Sequence, residues 1–292
     1  SSDWAAERIS LLDLWDVVLR LCGLGREAPR TYTKKYFYPK HGIGQIFEYI
    51  AREIKQNGGN IILNARFKKL LLEGDRVKGV IYETNGKDQV INCDWVISTI
   101  PVTDLICMPD RGVGYQDVST AIRSLSFRSL RFLNILIDKP EIGRNTWTYI
   151  PDGKYIMTRI QEPKKRSPYN APDAKTSLML EIPCSYNDEV WNMQDDLLFN
   201  RCIDDLFKLG INIKDRVIDY FYTAEKHAYP IYHLEYKHHL NRLFSWIAAI
   251  ENIHTCGRNG LFRYIFMDRA MEMGFEAAII VGKKEKQRHD LT

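Results

Sequence analysis

Between Gly42 and Pro101 the hydrophobic period of the chain passes from helical to alternating to continuous, and this order restricts the fold more than any other stretch. Gly42-Ile43-Gly44 leads into Ile46, Phe47, Ile50, Ala51 and Ile54, the spacing of one helix face, and Gly58-Gly59 supplies a stop. A strand is expected at once from Asn60 to Leu63. Phe67 to Leu72, Val77 to Glu83 and Val90 to Cys93 then alternate, separated by Gly74-Asp75 and by Asn85-Gly86, a pair suited to a type I′ hairpin. They predict a small antiparallel meander. Trp95 to Ile100 is almost continuously apolar, as a strand buried in a parallel sheet would be, and Pro101 ends it. Helix, meander and buried strand together predict an α/β chain with α+β elements.

The remainder reads as a second sheet and a closing unit. Strands are expected at Phe132 to Ile137, Thr148 to Ile150, Tyr155 to Ile160, Ser177 to Ile182 and Val217 to Thr223, with a helix from Asp196 to Leu209 stopped by Gly210. A helix from about Leu240 to Ile250 follows. Asn252 to Arg258 reads as a short strand running into a glycine turn, and a further helix begins near Met267, before a polar tail from Lys283 to Thr292. At the other end, Ile9, Leu12, Trp15, Val18, Leu19 and Cys22 mark a helical entry, and the opening Ser1-Ser2-Asp3-Trp4 suggests a piece of a longer protein.

Composition excludes several classes. In 292 residues, 45% hydrophobic and 27% charged content suits one large or two ordinary globular domains, not disorder, collagen or a disulfide scaffold. A net charge of +4 is too weak a field to argue for a nucleic-acid partner. The six cysteines form no CxxC pair, which predicts reduced thiols, and no apolar run approaches the ~20 residues of a membrane span. No signal peptide is visible, so a cytoplasmic protein is expected. His227, His233, His238 and His239 stand at spacings that do not put two imidazoles on one helix face, so no metal site is expected. Ser98 and Ser126 lack a GxSxG context, and hydrolysis is not supported.

The run Phe37-Tyr38-Pro39-Lys40-His41-Gly42-Ile43-Gly44-Gln45, the helix with Gly58-Gly59, Asn64-Ala65-Arg66-Phe67, the meander and Val96 to Pro101 together resemble the middle of flavin-dependent amine oxidases and protoporphyrinogen oxidases. Cys256 to Asp268, CGRNGLFRYIFMD, resembles the last FAD-binding segment of that superfamily, and its Gly-Arg start and Met-Asp end are most similar to UDP-galactopyranose mutase. The resemblance implies FAD as cofactor. It implies that Phe67 lies on the strand whose backbone meets the adenine, that Thr99 and Pro101 end a strand approaching the cofactor, and that Gly257, Arg258, Met267 and Asp268 belong to the flavin segment. It also implies that Tyr229 or Tyr232 lines the substrate side. No catalytic side chain is assigned.

Such proteins open with a strand, GxGxxG and a helix that cradle the pyrophosphate. Gly23-Leu24-Gly25-Arg26-Glu27-Ala28 matches the text of that motif but not its context, because a helical pattern precedes it and Pro29 follows. A separate Rossmann polypeptide or a longer chain is therefore expected to complete the cofactor site. The expected division is a helical entry over 1–36, an incomplete FAD-binding domain over 37–104 and 251–282, a substrate-type domain over 105–250 and the tail over 283–292. The expected activity is that of an FAD-dependent oxidoreductase whose flavin takes hydride from a small organic substrate. One alternative is a sugar-nucleotide mutase, with Arg144, Arg159 and Arg166 as candidate diphosphate clamps. The other is a cofactor-free scaffold.

Overall fold

A computed structural model describes Asp3 and residues 37–107 and 115–289. The helical entry and the Gly23 to Ala28 match lie outside the described residues. The chain divides into two units, one of residues 1–34, 62–126 and 229–292, the other of residues 35–61 and 127–228.

The second unit is built on a five-stranded sheet of β5 (Phe127–Ile137), β6 (Trp147–Tyr149), β7 (Arg159–Gln161), β8 (Thr176–Cys184) and β9 (Val217–Pro230), in the order β6-β7-β8-β5-β9. β5 and β8 pair antiparallel with Leu133 opposite Leu180 and Ile135 opposite Leu178. Cross-strand partners share a face, so the alternation collects Leu133, Ile135, Ile137, Leu178, Leu180 and Ile182 on one side, where they are buried. The helix Asp195–Lys208 closes that side with Leu198, Cys202, Ile203 and Leu206, spaced i, i+4, i+5 and i+8. Asp195 and Asp196 suit its first turn, and Gly210 takes a φ of +83° just beyond its end. Burial pushes the Cys202 thiol up to about 12, which leaves it a packing residue. The helix expected after Gly42 forms as Gly44–Gln56, but Phe47, Ile50 and Ile54 stay exposed among the described residues.

The first unit holds two separate sheets. β1 (Arg66–Glu73), β2 (Arg76–Thr84) and β3 (Lys87–Asn92) form the expected meander, and Asn85 and Gly86 both have positive φ, as a type I′ turn requires. β4 (Val96–Ser98) and β10 (Ile253–Thr255) form a parallel pair with Val96 opposite Ile253 and Ser98 opposite Thr255. One buried side chain joins the two sheets. Asn252 Oδ1 accepts from Val77 N at 2.8 Å, while Nδ2 donates to Val77 O at 2.7 Å and Asp94 O at 2.6 Å. Around this frame lie the helices Val102–Cys107, Tyr115–Ser124, Tyr236–Ala248 and Met267–His289. Tyr236, Leu240, Leu243 and Ile247 form the buried stripe of the third of these.

Three expectations change. Residues 60–63 form no strand, because no described segment pairs with them, and Ile62 and Leu63 stay exposed. The strand expected from Tyr155 shrinks to Arg159–Gln161, since only those three residues find partners on both β6 and β8. The polar stretch expected as a tail from Lys283 continues the last helix to His289. Polar residues prolong a helix readily when its preceding turns are anchored, here by Met273 and Ala277. Among the described residues no helix is long and apolar enough to cross a membrane.

Candidate functional site

The parallel pair sets up a crevice at its carboxyl edge. Because β4 and β10 run in the same direction and in register, Thr99-Ile100-Pro101 and Cys256-Gly257 leave the sheet side by side. Cys256 N donates to Ser98 O at 3.0 Å, carrying the pairing one residue past β10. Pro101 then stops the first strand, and its carbonyl accepts from Asp104 N and Leu105 N as the next helix begins. The second strand turns at Gly257, with φ of +79°, into a single helical turn, Gly257–Gly260.

Glycine is favoured at both ends of this turn for different reasons. A Cβ on Gly257 would stand 3.9 Å from the Thr99 side chain, so space exists but the positive φ favours glycine. A Cβ on Gly260 would fall 2.7 Å from Thr255 Oγ1, closer than real side chains come, and a tight 3.2 Å from Ser98 O. Thr255 Oγ1 uses that proximity to donate to Gly260 O at 3.0 Å. Among the described residues, the buried Ser98 Oγ and Asn259 Oδ1 have no hydrogen-bond partner. Two unsatisfied polar atoms on the two segments that meet here each cost ~1–3 kcal/mol unless something pairs with them.

The loop beyond is held by aromatic packing. Arg258 donates to Ile265 O from Nε at 3.1 Å and from Nη2 at 2.6 Å, with its guanidinium 4.8 Å from the Tyr264 ring and 5.4 Å from that of Tyr229. Tyr229 and Tyr264 stack with centroids 5.5 Å apart. Phe262 is fully buried at a φ of +52°, a left-handed conformation that costs a non-glycine residue ~1–2 kcal/mol. Packing of its ring near Tyr232 and Tyr236 holds it there.

Of the residues singled out by sequence, the structure brings Thr99, Pro101 and Gly257 to one sheet edge, with Arg258 directly after the bend. Met267 and Asp268 are exposed in the first turn of Met267–His289, where Asp268 suits the positive end of the helix dipole. Phe67 belongs to the antiparallel meander and stands at a register shift in β1. Tyr229 is half-buried, but Tyr232 is interior: it stacks 4.5 Å from Tyr236, and its hydroxyl accepts from Tyr264 N at 3.0 Å.

Lys164 Nζ donates to the carbonyls of Pro140, Pro172, Asp173 and Lys175 at 2.7–3.2 Å, acceptors that only the folded turns bring together. Ser98, Asn259 and Phe262 received no cofactor role from sequence, although Asn259 and Phe262 lie inside the Cys256 to Asp268 run.

The Flavin containing amine oxidoreductase profile matches residues 13–278, nearly the whole chain. The chain belongs to the flavin-containing amine oxidoreductase family. Its fold is similar to that of reduced UDP-galactopyranose mutase, with a TM-score of 0.67 at 19% identity, covering 90% of this chain and 56% of that one. A candidate protoporphyrinogen oxidase from Exiguobacterium sp. 255-15 gives 0.57 at 17%, covering 75% and 46%. A putrescine oxidase variant gives 0.57 at 13%, covering 84% and 53%. The chain thus spans about half the length of these solved flavoenzyme-like structures. Among curated proteins no match is found. Membership of this family implies a flavin, and the bend fits one: two glycines allow close backbone approach, and two buried polar atoms await partners.

Proposed function

We propose that this amine oxidoreductase family member is an FAD-dependent oxidoreductase, or the larger part of one, acting on a small organic molecule. The observation that carries the proposal is the convergence of the Gly257 bend with Thr99 at the carboxyl ends of two parallel strands, the edge at which open α/β sheets receive ligands. In this reading Ser98, Thr99, Gly257 and Asn259 hold the cofactor. Arg258 keeps the bend in shape through Ile265 O, and the stacked Tyr229 and Tyr264 shield it from water. When bound, the flavin supplies a two-electron acceptor for hydride. The pyrophosphate cradle, which no described segment provides, would come from further polypeptide, continuous with this chain or separate.

A second reading, a sugar-nucleotide mutase, is favoured by the Gly257-Arg258 and Met267-Asp268 pattern and by the similarity to UDP-galactopyranose mutase. The test is purification of the chain, alone and with a Rossmann segment of the family added, followed by FAD titration. Visible flavin absorbance that stays with the protein, and is lost in Asn259→Leu, supports the proposal. Protein that stays colourless under both conditions supports a cofactor-free scaffold instead. Turnover of a UDP-sugar only after chemical reduction selects the mutase.

A further inference from the structure

The face of the five-stranded sheet opposite its apolar core carries an organised polar surface. Trp147 on β6 lies opposite Gln161 on β7, Tyr149 opposite Arg159, and Arg159 opposite Glu181 on β8. These pairs share one face, because their neighbours Ile160 and Leu180 point into the core. Glu181 Oε1 is ion-paired to Arg159 and accepts from Gln161 Nε2 at 2.6 Å. That second bond turns the Gln161 amide so that its oxygen accepts from Arg166 at 2.5 Å. The result is an asymmetric pair of cations. Arg159 is neutralised by a buried carboxylate, whereas Arg166 is held by a neutral amide and has no carboxylate partner among the described residues.

Arg166 is nevertheless fixed. Its guanidinium sits 5.6 Å from the Trp147 ring and 6.0 Å from the Tyr38 ring, and that of Arg159 lies 5.6 Å from the Tyr149 ring. Lys40 adds a further cation, 4.1 Å from the Tyr169 ring. Trp147 and Tyr149 remain 43% and 64% exposed, so the rings beside the cations are accessible. A guanidinium with one of its five N–H groups used, and with two aromatic rings within 6.0 Å, is preorganised for two-point recognition of an oxyanion. A cationic head group would meet like charge there.

We infer that this face binds a substrate bearing an oxyanion, carboxylate or phosphate, on a planar ring. Arg166 takes the oxyanion and the β6 rings take the planar part. The inference rests on the flavoenzyme reading only in calling the ligand a substrate; the binding itself needs no flavin. Phenyl phosphate, phenylacetate and phenethylamine share one benzene ring and differ in head group. Each is titrated into the full chain without added flavin, following the indole N–H signal of Trp147, identified with Trp147→Phe.

The two anions are expected to shift that signal, and whichever binds more tightly names the head group. Arg166→Gln weakens them about tenfold or more, the loss of at least one of two charged hydrogen bonds, while Lys214→Gln leaves them unchanged. Rising salt weakens the anions bound to unaltered protein, a reading that holds even if Arg166→Gln fails to fold. Phenethylamine binding as tightly as the anions, or anion binding indifferent to both Arg166→Gln and salt, overturns the inference. Failure to retain FAD leaves these outcomes intact, so the two readings fail separately.

Discussion

The five-stranded sheet and the β4–β10 pair occupy the same chain under opposite rules. In the larger sheet the core is continuous from Leu133 to Leu206, and its buried charges are provided for. Glu162 accepts from Ile142 N, Gly143 N and Thr176 Oγ1, and Arg131 donates to the carbonyls of Val190 and Met193. The parallel pair has three residues per strand, two unsatisfied buried polar atoms and a buried phenylalanine at positive φ. Stability is concentrated in the continuous apolar core of the larger sheet, and strained backbone and unmatched polar atoms stand at the edge where a ligand is expected.

Substitutions sharpen this contrast. Leu180→Ala, in the centre of the larger core, should cost about 2–5 kcal/mol, read as a lowered midpoint in thermal or denaturant unfolding. Asn252→Ala strands the N–H and C=O of Val77 and should cost about 2–4 kcal/mol, with loss of exchange protection confined to the unit of the meander and β10. Gly260→Ala forces a Cβ against Thr255 and Ser98. About 1–3 kcal/mol is expected, with a larger proportional loss of flavin retention than Leu180→Ala produces; equal losses would erase the distinction between the two sheets.

The smallest effect concerns pH. Burial, followed by the charge of Lys284, holds the His254 imidazole below its usual range. As pH falls past about 6.5 the unfolded chain takes up this proton first. Stability present above that pH therefore declines until the folded-state value is passed. His254→Gln should flatten this part of a stability profile.

Local order was legible where local chemistry dictates it. The Gly44–Gln56 helix, the Asn85-Gly86 hairpin, the Asp195–Lys208 helix and the Gly257 bend follow from residue spacing and glycine alone. The resemblance to flavoenzymes grouped Thr99 with Gly257, and their segments leave the sheet side by side, a proximity that periodicity does not reveal. Parallel pairing of β4 with β10, the bridging role of Asn252 and the conformation of Phe262 depend on partners far away in the chain, and no local pattern encodes them. The same dependence explains the missing strand at 60–63: apolar residues supply a strand's faces, but a neighbouring chain segment must supply its hydrogen bonds.

Asn252 reaches back 158 residues to Asp94 and 175 to Val77. At ribosomal speeds of about 5–20 residues per second, β4 emerges on the order of ten seconds or more before its parallel neighbour has been made. During that interval the nascent meander must keep an unclosed strand edge, and Ile97 beside it, from sticking to other chains. Synthesis of this protein is thus expected to lean on chaperones until the C-terminal third arrives.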